Sequence, residues 1–211
     1  MKKLKRAALF AFAALCLLSP LLERPASAEM QDMILFFEEQ AKSEELSEQI
    51  RSTYKTVKKK AKLKSFKGKC GRYVAMQLVA LGINTDYIGS NGNRAYDIYK
   101  SKTETSGGYR ISAYPAKKYT LREALEAIAR EDPHARNILV GFEKGTSKAG
   151  KKYGHVMFIH GIENGKVYFS DSYAQTVDGV RYNEGEPIVC SIETFADLYK
   201  KYKLDGVIHF S

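Results

Sequence analysis

Apolar and polar positions fall into helical periods in the first third of this chain and into strand-like runs after it. Leu46, Ile50, Tyr54, Val57 and Ala61 recur at helical spacing, which predicts helix from residue 29 to about 63, in two pieces. A second helix is predicted from Cys70 to about Leu81. Tyr73, Val74, Gln77, Leu78 and Leu81 give it one apolar stripe to lay on a sheet, and Gly82 ends it. A Gly/Asn-rich loop over residues 86–93 leads to a short predicted helix over 94–100; the loop reads equally as a groove wall beside Cys70 or as a plain surface turn. Thr120 and Glu123 form a capping box that opens a helix over 121–130, stopped by Asp132-Pro133. Strands are expected at 109–114, 137–143, 155–163, 166–173, 184–189 and 207–210. Asn164-Gly165 joins the third and fourth of these as a hairpin. Ser191 caps a last helix reaching about Tyr202. Helices followed by an antiparallel sheet imply the α+β class.

The two ends of that pattern change the picture most. Lys2, Lys3, Lys5 and Arg6 precede an apolar run from Ala7 to Leu18, Pro20 breaks it, and Ala26-Ser27-Ala28 offers small residues for cleavage before Glu29. The run is shorter than the roughly 20 apolar residues of a membrane span, so a cleaved secretory signal is expected and no transmembrane anchor. Cys16 follows Leu15 rather than a small residue, which argues against lipidation there. The expected organisation is a signal peptide at 1–28, a helical segment at 29–65 and one domain at 66–211, secreted or held in the periplasm or cell envelope. Removing a leader with five basic residues and one acidic residue lowers the formal charge from +10 to +6. That balance suits an anionic wall or membrane surface. Nucleic acid fits the charge alone, but no nucleic-acid motif is present and none is expected as a partner. The first helical segment runs from acidic (Glu38, Glu39, Glu44, Glu45, Glu48) to basic (Lys55, Lys58, Lys59, Lys60, Lys62, Lys64). The lysine run reads either as an attachment surface or as a solvated helix end before a linker.

Two cysteines outlast the leader, Cys70 and Cys190, and in an oxidising compartment one reading is a disulfide between them. The other reading is chemical. A thiol at a helix N-terminus, followed by basic Arg72, sits where a thiolate is favoured and where backbone N–H groups can receive an oxyanion. His155 follows Gly154, which leaves room for a substrate chain, and Asp171 closes the next strand as an acceptor for His155 Nδ1–H. In a strictly regular hairpin Phe158 would face Asp171, leaving His155 on the opposite face. A one-residue bulge is therefore expected, and a regular ladder would remove Asp171 as the orienting residue. His160 is expected on the other face with a structural role; His134 and His209 have no chemical context. No zinc-type spacing is present, and neither metal nor cofactor is expected.

The blocks Gly68-Lys69-Cys70-Gly71-Arg72-Tyr73-Val74 and Ala80-Leu81-Gly82-Ile83-Asn84-Thr85 resemble the nucleophile helix and following loop of peptidoglycan amidases. Gly154-His155-Val156-Met157-Phe158-Ile159 and Val167-Tyr168-Phe169-Ser170-Asp171-Ser172-Tyr173 resemble their Gly-His-Val strand and the next strand with its polar residue. Together these resemble the CHAP and NlpC-type amidases and endopeptidases of the papain-like superfamily. Residues 29–65 have no counterpart in that resemblance, and Gly71 replaces the more usual Ala, Ser or Trp. The resemblance implies a papain-like fold with the nucleophile helix on an antiparallel sheet. It implies cofactor-free cleavage of stem-peptide amides, with Cys70 as nucleophile, His155 as base and Asp171 as third residue. The substrate would be peptidoglycan or another peptide, and an inhibitor or immunity protein is a candidate partner. The alternatives are a secreted protein-cleaving peptidase and a non-catalytic wall-binding module with a Cys70–Cys190 disulfide.

Overall fold

The computed structural model describes residues 28–83, 99–105, 107–143, 145–146 and 152–211. All but the last residue of the expected leader, most of the 94–100 helix and the 86–93 loop lie outside them. Four helices and ten strands are present among the described residues: α1 Ala28–Ala61, α2 Cys70–Ala80, β1 Ile111–Pro115, α3 Leu121–Glu131, β2 Arg136–Phe142, β3 Gly145–Thr146, β4 Lys152–Tyr153, β5 Val156–Glu163, β6 Lys166–Phe169, β7 Gln175–Val177, β8 Val180–Tyr182, β9 Ile188–Ser191, α4 Ile192–Tyr199 and β10 Leu204–Phe210. Six strands form one antiparallel sheet in the order β1-β10-β2-β5-β6-β9. The chain is an α+β protein. No helix among the described residues is long and apolar enough to cross a membrane.

The sheet carries a separate apolar cluster on each face, as alternation along its strands requires. One cluster joins Val74, Ala75 and Leu78 of α2 to Leu139, Val156, Phe158, Ile208 and Phe210. The other joins Leu125 and Ile128 of α3 and Phe195 and Tyr199 of α4 to Ile138, Val140, Met157, Ile159, Phe169 and Val207. β5 contributes to both, and all eight of its residues are buried.

One expectation about the first helical segment is corrected. α1 is one continuous helix rather than two pieces, because nothing in residues 28–61 breaks it: the stretch holds neither Gly nor Pro. One compact unit spans Lys42–Ser211 and includes the second half of α1. Val57 and Ala61 are buried in a cluster with Phe66 and Tyr73, and Leu46 and Ile50 in another with Tyr168. The remaining unit, Met1–Ala41, is described only over the start of α1, where Met30, Met33, Ile34, Leu35, Phe36 and Phe37 are exposed.

Candidate active site

The nucleophile candidate is presented by a turn and a helix start. Gly68 adopts φ +74°, a left-handed conformation that favours glycine, and α2 begins two residues later at Cys70. The first hydrogen bond of the helical ladder runs from Tyr73 N–H to Lys69 C=O. The N–H groups of Cys70, Gly71 and Arg72 precede it, as the first N–H groups of any helix do. Backbone N–H groups of Gly71 and Val156 are directed at the Cys70 sulfur. There is no acidic side chain in the first turn of α2 to oppose a thiolate.

The hairpin of β5 and β6 decides which side chains meet that sulfur. Asn164 and Gly165 both take positive φ, +50° and +73°, as a tight two-residue turn with the strand twist requires. Glu163 pairs with Lys166, Ile162 with Val167 and Gly161 with Tyr168, but Ile159 pairs with Phe169. His160 is thus the extra residue of a β-bulge. Counted on from the Ile159–Phe169 pair, Asp171 falls level with Met157 and on the same face as His155. The ladder carries the irregularity that a shared face needs.

The three residues are brought together. His155 and Asp171 are almost fully buried, at 2% and 1% exposure, with His155 Nε2 3.4 Å from Asp171 Oδ2. The imidazole is also hydrogen-bonded to the Cys70 thiol. One detail is corrected: Nε2, not Nδ1, faces the carboxylate, which leaves Nδ1 for the sulfur. Asp171 is itself held from several sides. Oδ2 accepts from Tyr199 OH at 2.8 Å and Gln175 Nε2 at 2.5 Å, while Oδ1 accepts from Tyr173 N–H and Ser172 Oγ–H at 3.2 Å each. Rings enclose the imidazole: Tyr199, Tyr202 and Phe142 lie near-parallel to it with centroids 5.6, 5.3 and 6.2 Å away, and Tyr173 tilts in at 5.9 Å.

These contacts set the charges. Burial pushes the Cys70 thiol up, but the hydrogen bond and charge of His155, with the two backbone N–H groups, outweigh it and lower the thiol's pKa. Burial pushes His155 down, yet its bonds to Asp171 and Cys70 and their charges raise it to about 9. Burial would raise Asp171; His155, Tyr199 and Gln175 hold it below the usual carboxylate range. Both shifts run in the direction that favours a thiolate beside an imidazolium.

Arg72 does not take the role that its position suggested. Its guanidinium donates to Ala61 C=O at 3.4 Å, at the end of α1, because successive helical residues point in different directions. The disulfide reading is corrected as well. Cys70 and Cys190 are both free thiols. Cys70 packs against the cluster on the α2 face, whereas Cys190 belongs to the cluster on the opposite face. Burial raises the Cys190 thiol to about 12, which leaves it inert.

His160 is buried as a structural residue, with Nε2 2.8 Å from Gln77 Oε1. His134 Nδ1 lies 2.6 Å from Glu163 Oε1, on a carboxylate that also meets Arg136 Nη2 at 2.9 Å. Among the described residues no group of three or more His, Cys, Asp or Glu side chains is arranged to hold a metal ion. Sequence reasoning missed Tyr199 and Gln175 on Asp171, and Tyr173 and Tyr202 around His155. The 28 positions between Tyr199 and Asp171 leave no local pattern to read. A scan of protein-family models, a search of curated proteins and a search of solved structures each returned no match.

Proposed function

We propose that this chain is a secreted cysteine hydrolase of papain-like type that cleaves amide bonds in peptidoglycan stem peptides. The observation that carries the reading is His155 held between the Cys70 thiol and the Asp171 carboxylate, with the thiol lowered and the imidazole raised. A helix-borne thiol beside a sheet-borne histidine also supports the papain-like assignment. The peptidoglycan substrate is supported by the two motif blocks around Cys70 and His155 and by the basic charge of the chain.

In this mechanism the Cys70 thiolate attacks the amide carbon and forms an S–C bond. The carbonyl oxygen takes the negative charge, which backbone N–H groups in the first turn of α2 can receive. His155 gives its proton to the amide nitrogen, the C–N bond breaks, and a thioester remains. Water then attacks the thioester while neutral His155 takes its proton. The S–C bond breaks, the acid product leaves, and the thiolate and imidazolium are restored. Asp171 keeps the ring oriented throughout and offsets its positive charge.

Incubating the purified protein and its Cys70→Ala variant with peptidoglycan, and identifying soluble fragments by mass, tests the reading. Amide-cleaved fragments from the native protein alone are expected. Equal release by both proteins would overturn the mechanism. Cys70-dependent digestion of a protein substrate, with intact peptidoglycan, would move the assignment to a secreted peptidase. Release by neither protein would favour the wall-binding alternative, though without the Cys70–Cys190 disulfide, since both thiols are free.

A further inference from the structure

Glu184 lies outside the catalytic constellation, 13 residues beyond Asp171 in the loop between β8 and β9. It is only half-buried, yet its carboxylate is the meeting point of three donors from a distant part of the chain. Oε1 accepts from Phe66 N–H at 2.6 Å and from Tyr54 OH at 2.9 Å, and Oε2 accepts from Ser65 Oγ–H. Two donors belong to the loop that leads into Cys70; the third comes from α1. Burial would raise this carboxylate, but Ser65, Phe66 and Tyr54, with the charge of Lys58, hold it ionised.

The next residue faces the other way. Gly185 N–H donates to Asp171 C=O at 2.9 Å. Gly185 takes φ +75°, and a Cβ there would lie 2.2 Å from the Tyr54 ring, so the turn is pressed against α1 with no room for a side chain. On the nucleophile side Phe66 is fully buried, its ring 4.9 Å from Tyr73 of α2, and Phe66 C=O accepts from Lys69 N–H at 2.7 Å. An unbroken series of short contacts therefore runs from the Asp171 backbone through Gly185 and Glu184 to Phe66, Lys69 and Cys70. The two ends are the groups on either side of His155.

We propose that Glu184 is a positioning residue: it ties the loop bearing Cys70, and with it the second half of α1, to the backbone that bears Asp171. This deepens the cysteine-hydrolase reading and rests on it for its meaning. It assigns residues 42–65 a part in the site that the motif blocks do not cover. Ionised hydrogen bonds are stronger and more directional than neutral ones, which suits a carboxylate to this task. A second tie, Tyr73 OH to Ser170 Oγ at 2.6 Å, joins α2 to the residue before Asp171, so losing Glu184 weakens the arrangement without dissolving it.

The test reads the thiol itself and needs no substrate. The rate of Cys70 alkylation by iodoacetamide is measured against pH in the full chain, and in its Glu184→Ala, Glu184→Gln and Tyr54→Phe variants, with Cys190→Ala as background. In Glu184→Ala the midpoint is expected to rise by about one pH unit, so alkylation on the acid limb slows about tenfold. Glu184→Gln, which keeps an oxygen for Phe66 N–H, should restore part of the shift, and Tyr54→Phe should move it slightly in the same direction. Superimposable profiles in the folded variants, whatever their thermal stability, would overturn the proposal. Should Glu184→Ala fail to fold, unchanged profiles in the other two would overturn it equally. Failure of the native protein on peptidoglycan would defeat the substrate reading while leaving these curves intact.

Discussion

His155 and His160 stand five residues apart beside one strand, both at 2% exposure, and they have opposite chemistry. His155 lies at the end of the sheet between a carboxylate and a thiol, and is raised to about 9. His160 lies within the sheet against the neutral oxygen of Gln77, and burial lowers it to about 3. Both lose water, a loss that disfavours the charged ring in each. Only His155 gains anionic partners that outweigh it. The cysteines repeat the contrast: Cys70, beside His155, is lowered, and Cys190, in an apolar cluster, rises to about 12. Burial makes a titratable group inert unless a partner of opposite charge is buried with it. For Cys70, His155 and Asp171 such partners meet at the start of β5.

Cys70→Ala and Cys190→Ala break that comparison most sharply. Cys70→Ala should abolish amide cleavage, a loss of about 10⁴-fold or more, whereas Cys190→Ala should leave turnover within about twofold because its thiol touches no reacting group. Fragment release by each variant measures the difference. His155→Gln is expected to cost about 10³-fold or more in kcat/KM and to return the Cys70 alkylation midpoint to the ordinary thiol range. An unshifted midpoint would mean that His155 does not hold the thiolate.

Asp171→Asn should cost less than the loss of Cys70 or His155, which both remain, and the kcat/KM ratio of the variants reads the difference. NMR titration of His155 should then find its pKa below 9, because the carboxylate that raises it is gone. His160→Leu is the smallest change in function and a clear change in stability. Leaving Gln77 Oε1 buried without its partner should cost about 1–3 kcal/mol in urea unfolding, with the Cys70 alkylation profile in place.

The two histidines also predict opposite slopes of stability with pH. His160 is lowered on folding, so its contribution is complete above its unfolded value near 6.5 and is lost as pH falls toward 3. His155 is raised, so its contribution is complete below 6.5 and is lost as pH rises through about 9. His160→Leu should flatten the acid limb alone and His155→Gln the basic limb, read by urea midpoints across pH.

Much of this was legible in local sequence. Thr120 and Glu123 form the expected capping box, and Ser191 caps α4 by accepting from Thr194 N–H. Asn164-Gly165 makes the expected turn. Asp178-Gly179 carries the same hairpin signal, with φ +48° and +78°, and joins β7 to β8, a pair too short for periodicity to mark because each strand has three residues. β6 ends at Phe169, not near Tyr173, since the Asp171 side chain turns the chain by accepting from Tyr173 N–H. Parity along β5 and β6 even exposed the need for a bulge, though not its place at His160.

The sequence by itself determined the α+β class, the starts of α2, α3 and α4, the turn residues and the order Cys70, His155, Asp171. These depend on side chains within a few positions of one another, where steric limits and short hydrogen bonds act without help from the rest of the chain. Only the tertiary structure decided that Cys70 meets His155 rather than Cys190, that Arg72 turns to α1, and that Glu184 reaches Phe66 across 118 positions. Which histidine carries a proton was decided there too. Desolvation and partner charge are properties of the packed interior, fixed by groups that no local stretch of sequence brings together.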